Sequence, residues 1–512
     1  MLGNGCLFFF IVSALVSVLD SQSTGDGPGH DKVVVCYIAT WAAYRTPPGD
    51  FQLGDLDPNV CTHLVYSFAG LYPNNYTIKS LDPWQDLADG GGRAGYQRLV
   101  SLKKRYHHLK VTVAIGGWNE GSLTYSLMAD SIEHRGRFVD SVVKFLQKHE
   151  FDGLDLDWEY PTKRDGRPQD KANYVTLVRQ LKEAFRPHGF ILTAALGVGK
   201  ETMDSAYDLP KLGQYLDLIH MMCYDYHGKW DGVVGANAPL RGLNDNDTLS
   251  VEYTIKYMLR HGVSPSKLVL GLPMYGRTFL LTDPETRAIE FGRTPSENGF
   301  AGPLTKEVGF MGYNEICREI FNKSSNWSIH WHRESETPYI HNGNKVVTYD
   351  NERSIASKVK MAMEYGLGGL MVWSIDTDDF KGACGMRVNE AFVDFEVRAQ
   401  QLAHDPLLKK SLPNVRLPDI SSERSSYVIT GDKLELKIVK PEVSNYPLMR
   451  TINDATRLAM QEKKLLDAMN KITRHNEVEQ HEHYKKPGGG ASGFGGSFLL
   501  VAIGAAVGTL RF

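Results

Sequence analysis

The sequence predicts an α/β protein whose main domain is a TIM (β/α)8 barrel, and three observations lead to this prediction. Between about residues 32 and 375, short β-rich runs alternate with helical patterns, which is typical of repeated βα units. Eight such runs are present, which is the number of strands that the barrel requires. The chain has 512 residues and is 42% hydrophobic, so it is long and apolar enough to bury a core of this size.

The strand candidates are short apolar runs rich in β-branched residues and bounded by turn residues. In chain order they are Val33 to Ile38, His63 to Phe68, Lys110 to Ile115, Gly153 to Trp158, Phe190 to Leu196, Leu216 to Met222, Lys267 to Leu272 and Gly369 to Trp373. The segments between them carry apolar residues on one helical face, as in residues 138–146 and 174–185, and are predicted to be helices.

One interval between strands is too long for a simple βα unit. The seventh and eighth strand candidates are nearly a hundred residues apart, whereas a βα unit needs only about 30. We therefore expect a small α+β insertion subdomain at about residues 278–346, between strands 7 and 8. It would stand on the C-terminal rim of the barrel, where active sites of this fold lie.

Both ends of the chain carry signals for export. Residues 1–21 contain an apolar run, followed by polar residues, and are predicted to be a signal peptide; an N-terminal membrane anchor is the alternative. Residues 488–512 combine a Gly-rich segment with a short hydrophobic tail, and they are either a GPI-anchor signal or a merely hydrophobic end. A secreted, extracellular protein is expected, with cell-surface GPI anchoring as an option.

The barrel domain is assigned to residues 22–402, and residues 403–487 form a charged, proline-punctuated C-terminal extension. Residues 451–472 of this extension are compatible with a helix, which is interpreted as a solvated or docked tail helix in preference to an oligomerising coil. The protein is expected to be a monomer. Its net charge of -3 gives no electrostatic reason to expect nucleic acid as a partner.

The cysteines and the glycosylation sequons are consistent with folding in an oxidising compartment of the export pathway. Loss of Cys6 with the signal peptide leaves five cysteines, hence two disulfides and one free thiol, with several pairings possible. The sequons predict glycosylation at four asparagines: Asn75, Asn246, Asn322 and Asn326.

The fourth strand candidate carries acidic residues at alternate positions. Asp155, Asp157 and Glu159 share one face of a strand and are expected to point into the barrel, while the intervening apolar residues pack outward. Carboxylates this close in a low dielectric raise one another's pKa, so at least one should hold a proton near neutral pH. Glu159 lies at the C-terminal end of the strand with the longest reach, and it is the candidate general acid.

Two other interpretations of these carboxylates were weighed. A hard-cation site uses the same oxygens, but Mg²⁺ and Ca²⁺ want ligands that converge from several loops, and one strand presents its carboxylates in a line. A purely structural carboxylate network is disfavoured because buried charge is costly. The site is therefore expected to use neither a metal nor another cofactor.

The segment from Asp152 to Pro161, with Asp155, Asp157 and Glu159, resembles the DxxDxDxE signature of the family 18 glycoside hydrolases, the chitinases. Four further motifs stand in family order at predicted strand ends: Ile115-Gly-Gly-Trp118, Met222-Cys-Tyr-Asp225-Tyr-His-Gly228, Gly271-Leu-Pro-Met-Tyr-Gly-Arg277 and Gly369-Leu-Met-Val-Trp373-Ser. The resemblance covers about residues 32 to 400, and it is strongest to secreted animal chitinases.

This resemblance implies a substrate-assisted, retaining hydrolysis of β-1,4-linked N-acetylglucosamine polymers. Glu159 is implied as the acid and base, Asp157 as the partner of the substrate's acetamido N–H, Asp155 as the residue that shares a proton with Asp157, and Tyr224 as the partner of the acetamido carbonyl. The other substrate-binding residues that it implies are Tyr37, Trp41, Phe68, Gly117, Trp118, Tyr160, Met222, Asp225, Tyr275, Arg277 and Trp373, with Trp230 as a further platform.

The resemblance also pairs Cys36 with Cys61 and Cys317 with Cys384, which leaves Cys223 as the free thiol. The sequence departs from the family pattern at Ala114, where many relatives carry Ser. It also has no cysteine after Cys384, so the six-cysteine chitin-binding module of many relatives is not expected.

The partner is expected to be chitin or its oligosaccharides. A catalytically weak chitin-binding lectin of the same fold is the alternative function, and an enzyme that cuts N-glycan cores is a third. Trp84 and Trp327 match no family position and are expected to be core aromatics.

Overall fold

Eight parallel strands close into a barrel, with each strand beside its neighbour in the chain and the last beside the first. In a computed structural model, the described residues are 27–283, 289–296, 299–322, 324–384, 426–430, 433–437, 445–463 and 467. The barrel strands are β1 (Val33–Ala39), β2 (His63–Leu71), β4 (Lys110–Gly116), β5 (Gly153–Asp157), β6 (Ile191–Gly197), β7 (Leu218–Met222), β8 (Leu268–Pro273) and β14 (Gly369–Trp373). A short strand, β3 (Ile78–Ser80), pairs antiparallel with β2.

The predicted barrel is confirmed, and every barrel strand ends within three residues of its predicted limits. Parallel barrel strands are buried on both faces, so they appear in the sequence as continuous apolar runs that are easy to recognise. The helices are α1 (Pro83–Asp86), α2 (Gly95–Ser101), α3 (Leu123–Asp130), α4 (Ile132–His149), α5 (Asp170–Phe185), α6 (Lys200–Ala206), α7 (Leu209–Tyr215), α8 (Val251–Arg260), α9 (Tyr313–Phe321), α10 (Glu352–Glu364) and α11 (residues 447–463).

Short 3₁₀ turns complete the connections between these elements. They lie at Thr40–Tyr44, Pro58–Val60, Asp89–Gly91, Leu102–Lys104, Trp118–Glu120, Arg186–His188, Pro265–Lys267 and Ile375–Thr377. Among the helices of the described residues, none is long and apolar enough to cross a membrane.

The core has an outer and an inner part. The outer part fills the space between strands and helices, and it includes Leu154, Leu156 and Trp158, as expected for the outward face of β5. The inner part is smaller and contains Tyr37 and Tyr275 among its members. Aromatic side chains therefore form part of the inner core.

A second sheet is inserted between β8 and β14. It is antiparallel, has the order β10-β9-β13-β12-β11 and is followed along the chain by α10. Its strands are β9 (Tyr275–Leu280), β10 (Phe310–Gly312), β11 (Ser328–His332), β12 (Thr337–Asn342) and β13 (Lys345–Thr348). Because β9 starts two residues after β8 ends, this sheet rises from the C-terminal rim.

Helix α11 packs on the barrel although it lies in the predicted extension. The carboxylate of Asp378 accepts hydrogen bonds from the backbone N–H groups of Leu448 and Met449 at the start of the helix, at 3.4 and 3.0 Å. Asn453 on the same helix donates to the carbonyl oxygen of Val60, in the turn after β1, at 3.0 Å. Glu462 near the helix end pairs with Lys360 on α10.

Helix α11 therefore lies between α10, the helix before β14, and the first βα turn, which is the place of the eighth helix in a (β/α)8 barrel. The two ends of the long segment between β14 and α11 contact the same residue. Asp379 accepts a hydrogen bond from the backbone of Cys384 at 2.8 Å and another from the backbone of Tyr446 at 2.9 Å. Within this segment β15 (Ser426–Thr430) pairs antiparallel with β16 (Lys433–Lys437).

Two disulfides join Cys36 to Cys61 and Cys317 to Cys384, and Cys223 is a buried free thiol. The pairings implied by the family resemblance are confirmed. The four sequon asparagines are all exposed. The predicted signal peptide and the Gly-rich tail lie outside the described residues, so both stay predictions.

Candidate active site

Strand β5 places its acidic residues inside the barrel, as the alternation predicted. Asp155 and Asp157 are 0% and 3% exposed. Asp155 lies in register with Ala114 on β4 and with Thr193 on β6, so it is surrounded by the inward-facing residues of neighbouring strands. Asp152, the first acid of the motif, lies apart from this group. Its carboxylate accepts hydrogen bonds from Lys103 and from the backbone of residue 111.

The deepest carboxylate, Asp155, is held by three side chains. The Tyr37 hydroxyl donates to Asp155 at 2.6 Å, and the Thr193 hydroxyl donates to its other oxygen. Nδ1 of His220 lies 3.2 Å from Asp155 and 2.8 Å from the Tyr37 hydroxyl. These contacts satisfy the hydrogen-bonding oxygens of the buried carboxyl group.

The middle carboxylate, Asp157, is buried beside two other acids. Burial raises its pKa well above the ordinary value, and the neighbouring charges of Glu159 and Asp155 raise the pKa further. Burial therefore favours the protonated form of Asp157. Its Oδ1 atom is buried and has no hydrogen-bond partner among the described residues, so it is available to accept a hydrogen bond from a ligand.

Glu159 follows the end of β5 at the rim. Burial raises its pKa to about 7, and the charge of Asp225 also raises it, while a hydrogen bond with Tyr160 and the charge of Arg164 lower it. A carboxyl group with this pKa is protonated in weakly acidic solution and ionised in weakly alkaline solution. It can therefore donate a proton and later accept one.

Two glycines allow the backbone to pass close to this strand. Gly116 has φ +118°, and a Cβ atom there would lie 2.1 Å from the carbonyl oxygen of Asp157. Gly117 has φ +83°, and a Cβ atom there would lie 2.8 Å from the ring of Phe68. The Gly-Gly pair before Trp118 is thus required by the close approach of β4 to β5 and Phe68.

Aromatic rings form one side of the cleft. Trp373 at the end of β14 lies 5.7 Å from Phe68, 6.1 Å from Trp41 and 5.6 Å from Tyr37, measured between ring centres. Trp41 remains 46% exposed, so part of its ring is open to the cleft. Flat, partly exposed rings of this kind bind the apolar faces of ligands.

Polar residues form the opposite side. Asp225, which follows β7, accepts hydrogen bonds from the Tyr275 hydroxyl at 2.6 Å and from Nε of Arg277 at 2.7 Å. Tyr224 lies beside Tyr275 with ring centres 6.0 Å apart. The guanidinium of Arg277 also lies over the exposed ring of Trp230 at 4.9 Å. Residues that follow β7 and residues of the inserted sheet are thus joined at one place.

Sequence reasoning missed several residues of this site. Thr193 and His220 contact Asp155, and Asn237 accepts a hydrogen bond from the backbone of Asp225 at 2.9 Å. Arg164 donates a hydrogen bond to the backbone carbonyl of Glu159. Thr193 and His220 lie at inward-facing positions of β6 and β7, so strand alternation could have indicated them. No local pattern identifies Asn237 or Arg164, because their contacts are made by loops.

The expectation that Trp84 is a core aromatic is wrong. It follows a surface turn and is 54% exposed, because its neighbours on α1 bury the opposite face of that short helix. Trp327 is half-buried and donates a hydrogen bond to Glu319.

Comparisons with known proteins agree with this geometry. The model of the family "Glycosyl hydrolases family 18" matches residues 33–378. The protein named "Probable chitinase 2" from Drosophila melanogaster is 46% identical over 464 residues, which are 89% of this chain and 87% of the relative.

Two solved structures are also similar. The crystal structure of Ostrinia furnacalis Group IV chitinase in complex with allosamidin is 40% identical with a TM-score of 0.66, and the match covers 72% of this chain and 99% of that chain. Human YKL-39, a pseudo-chitinase with retained chitooligosaccharide binding, is 29% identical with a TM-score of 0.63, over 83% of this chain and 99% of that chain.

Proposed function

The chain belongs to glycosyl hydrolase family 18, and on this premise we propose that it hydrolyses the β-1,4 linkages of N-acetylglucosamine polymers with Glu159 as the proton donor. The observation that carries the proposal is the pair of neighbouring carboxyl groups, Asp157 and Glu159, at the end of β5. Burial raises the pKa of Glu159 to about 7, and it raises the pKa of Asp157 well above the ordinary value. A lectin does not need a proton donor at the end of β5, whereas a hydrolase does.

In the first step, protonated Glu159 gives its proton to the glycosidic oxygen as the bond from that oxygen to the anomeric carbon breaks. The acetamido oxygen of the same sugar attacks the anomeric carbon and forms an oxazolinium ring. The unpartnered Oδ1 of Asp157 accepts a hydrogen bond from the acetamido N–H and stabilises the positive charge that develops there. Tyr224 binds the acetamido carbonyl oxygen.

In the second step, ionised Glu159 takes a proton from a water molecule. The water oxygen attacks the anomeric carbon, the bond from that carbon to the acetamido oxygen breaks, and the amide is restored. Two inversions at one carbon give net retention of configuration. Asp155, to which Tyr37 and Thr193 donate hydrogen bonds, shares a proton with Asp157.

The sugar before the cut is proposed to lie on Trp373, between the aromatic side of the cleft and the polar side. Trp41 and Phe68 extend the aromatic surface, and Asp225 and Arg277 bind hydroxyl groups. The remaining proposed contacts are made by Gly117, Trp118, Tyr160, Met222, Tyr275 and Trp230. Stacking on rings, with few charged contacts, suits an uncharged polymer.

The test is hydrolysis of chromogenic N-acetylchitobiose and chitotriose glycosides between pH 4 and 8, with wild type beside Glu159→Gln. Turnover in the wild type and its loss in the variant, with oligosaccharide binding kept, are the expected results. Unchanged turnover in the variant would refute the role of Glu159. Binding without turnover in the wild type would assign the chain to the lectins, as for YKL-39.

We also propose that the protein is exported. Two disulfides and four exposed sequon asparagines support an oxidising, extracellular destination. The N-glycans should be removed by an amidase that cleaves them from asparagine, with a loss of apparent mass. A phospholipase that cleaves GPI anchors should release the protein from cells if the C-terminal tail is an anchor signal; protein found only in the medium would contradict the anchor.

A further inference from the structure

The turn between β5 and α5 has an unusual backbone conformation. Thr162, Arg164 and Asp165 all have left-handed backbone angles, with φ of 69°, 52° and 67°. Residues other than glycine seldom adopt this conformation, and it persists where the surrounding structure holds it. Here the buried carboxylate of Asp170 holds the turn, because it accepts hydrogen bonds from the backbone N–H groups of Thr162 and Arg167 at 3.4 and 2.7 Å. Arg164 is thereby presented to the cleft in a fixed position.

Arg164 contacts both the rim of the cleft and the catalytic strand. Its Nη1 atom donates hydrogen bonds to the carbonyl oxygens of Trp118 at 2.7 Å and of Glu159 at 3.0 Å. Its guanidinium carbon lies 3.7 Å from the centre of a Trp118 ring, which is well within the range of a cation–π contact. A planar guanidinium can stack and donate at the same time, whereas a lysine ammonium cannot.

We propose that Arg164 is a positioning residue that presents the Trp118 ring to the sugar chain and fixes the backbone of Glu159. This inference rests on the proposed function of the cleft. One face of the Trp118 indole is covered by the guanidinium, yet the side chain is still 58% exposed, so its other face is open. Without Arg164, an exposed indole would have to be ordered by the substrate, which weakens binding by about 2–10-fold.

The charge of Arg164 also acts on the proton donor. It lowers the pKa of Glu159, while burial and the charge of Asp225 raise it. The groups that face Glu159 from β5 and from the rim are the carboxyl groups of Asp157 and Asp225 and three neutral phenols, those of Tyr160, Tyr207 and Tyr224. The positive charge of Arg164 therefore counteracts the rise in the pKa of Glu159 that its acidic neighbours cause.

The first test is a double-variant cycle with Arg164→Gln and Trp118→Ala, with KM for chitohexaose as the readout. Arg164→Gln should raise KM about 2–10-fold when Trp118 is present and cause no further rise in the Trp118→Ala background. A general loosening of the turn would instead give effects that multiply in the double variant, and that result would overturn the positioning role.

The second test separates charge from shape through the pH profile of kcat. Arg164→Gln should move the alkaline limb upward by about 0.3–1 pH unit, because the donor keeps its proton to higher pH. Arg164→Lys keeps the charge, so its alkaline limb should stay with the wild type while KM rises. The matched control is Lys163→Gln, which removes a cation of the same turn that pairs with Glu201. An equal shift in the control, or no shift in Arg164→Gln, would overturn the electrostatic part.

Failure of this inference is distinguishable from failure of the proposed function. The same cycle measured as Kd for chitohexaose by calorimetry, in the Glu159→Gln background, requires no turnover. A wild type that neither cleaves nor binds chitohexaose would refute the proposed function. A wild type that cleaves it, with independent effects of Arg164 and Trp118 on both KM and Kd, would refute only the role of Arg164. Circular dichroism of each variant verifies that it is folded.

Discussion

The substitution Glu159→Gln should inactivate the protein and stabilise it, and the size of the stabilisation follows from the buried position of the carboxyl group. Burial raises the pKa of Glu159 from its ordinary value of 4.5 to about 7 in the folded protein. The ionised form is therefore less favourable in the folded state than in the unfolded chain. A glutamine has nearly the same shape and no charge, so it does not carry this cost.

The size of the effect depends on pH. Below pH 4.5 the carboxyl group is protonated in both states, so the substitution should change stability little. As pH rises from 4.5 toward 7, the unfolded chain loses its proton first and the wild type loses stability. A difference of about 2.5 pKa units corresponds to about 3 kcal/mol in favour of Glu159→Gln at pH 8, and to less than about 1 kcal/mol at pH 5.

The assay is thermal and urea denaturation of both proteins at pH 5 and pH 8. The variant should have a Tm higher by roughly 4 °C at pH 8, and the two curves should nearly coincide at pH 5. The control is Glu364→Gln at an exposed position on α10, which should show no such pH dependence. A variant less stable than the wild type at pH 8 would show that ionised Glu159 is stabilised in the fold, and it would refute the reasoning about its role as an acid.

Three further predictions concern the supports of the site and the course of the chain. Thr193→Val should lower the free energy of unfolding by about 1–3 kcal/mol in urea denaturation, because it removes a donor from buried Asp155; an unchanged value would mean that water replaces the hydroxyl. Gly117→Ala should raise KM for chitohexaose several-fold, since a Cβ atom would meet the Phe68 ring at 2.8 Å and must displace it; an unaltered KM would contradict the need for close approach. Replacement of residues 385–444 by a short Gly/Ser linker should leave Tm and turnover near wild type, whereas deletion of α11 should yield insoluble protein; the reverse result would contradict the assignment of α11 as the eighth barrel helix.

The sequence alone determined the barrel and its acidic strand. Strands buried on both faces are largely apolar, so each of the eight was visible as a run of about six residues. The placement of Asp155 and Asp157 inside the barrel followed from strand alternation, which is a local property of the backbone. Local patterns and the spacing of motifs were therefore sufficient for the fold and for the centre of the site.

Only the tertiary structure decided which distant groups complete that centre. Strand alternation places His220 inside the barrel but does not identify Asp155 as its partner. Arg164 contacts Trp118 from another loop, where no periodic pattern exists. Helix α11 occupies the position of the eighth barrel helix, although its residues were assigned to the C-terminal extension. The sequence did not predict this position, because the residues that α11 contacts, Asp378 and Val60, are far from it along the chain. Periodicity shows which face of an element is buried, but it does not show against which partner, since that depends on contacts between residues that only folding brings together.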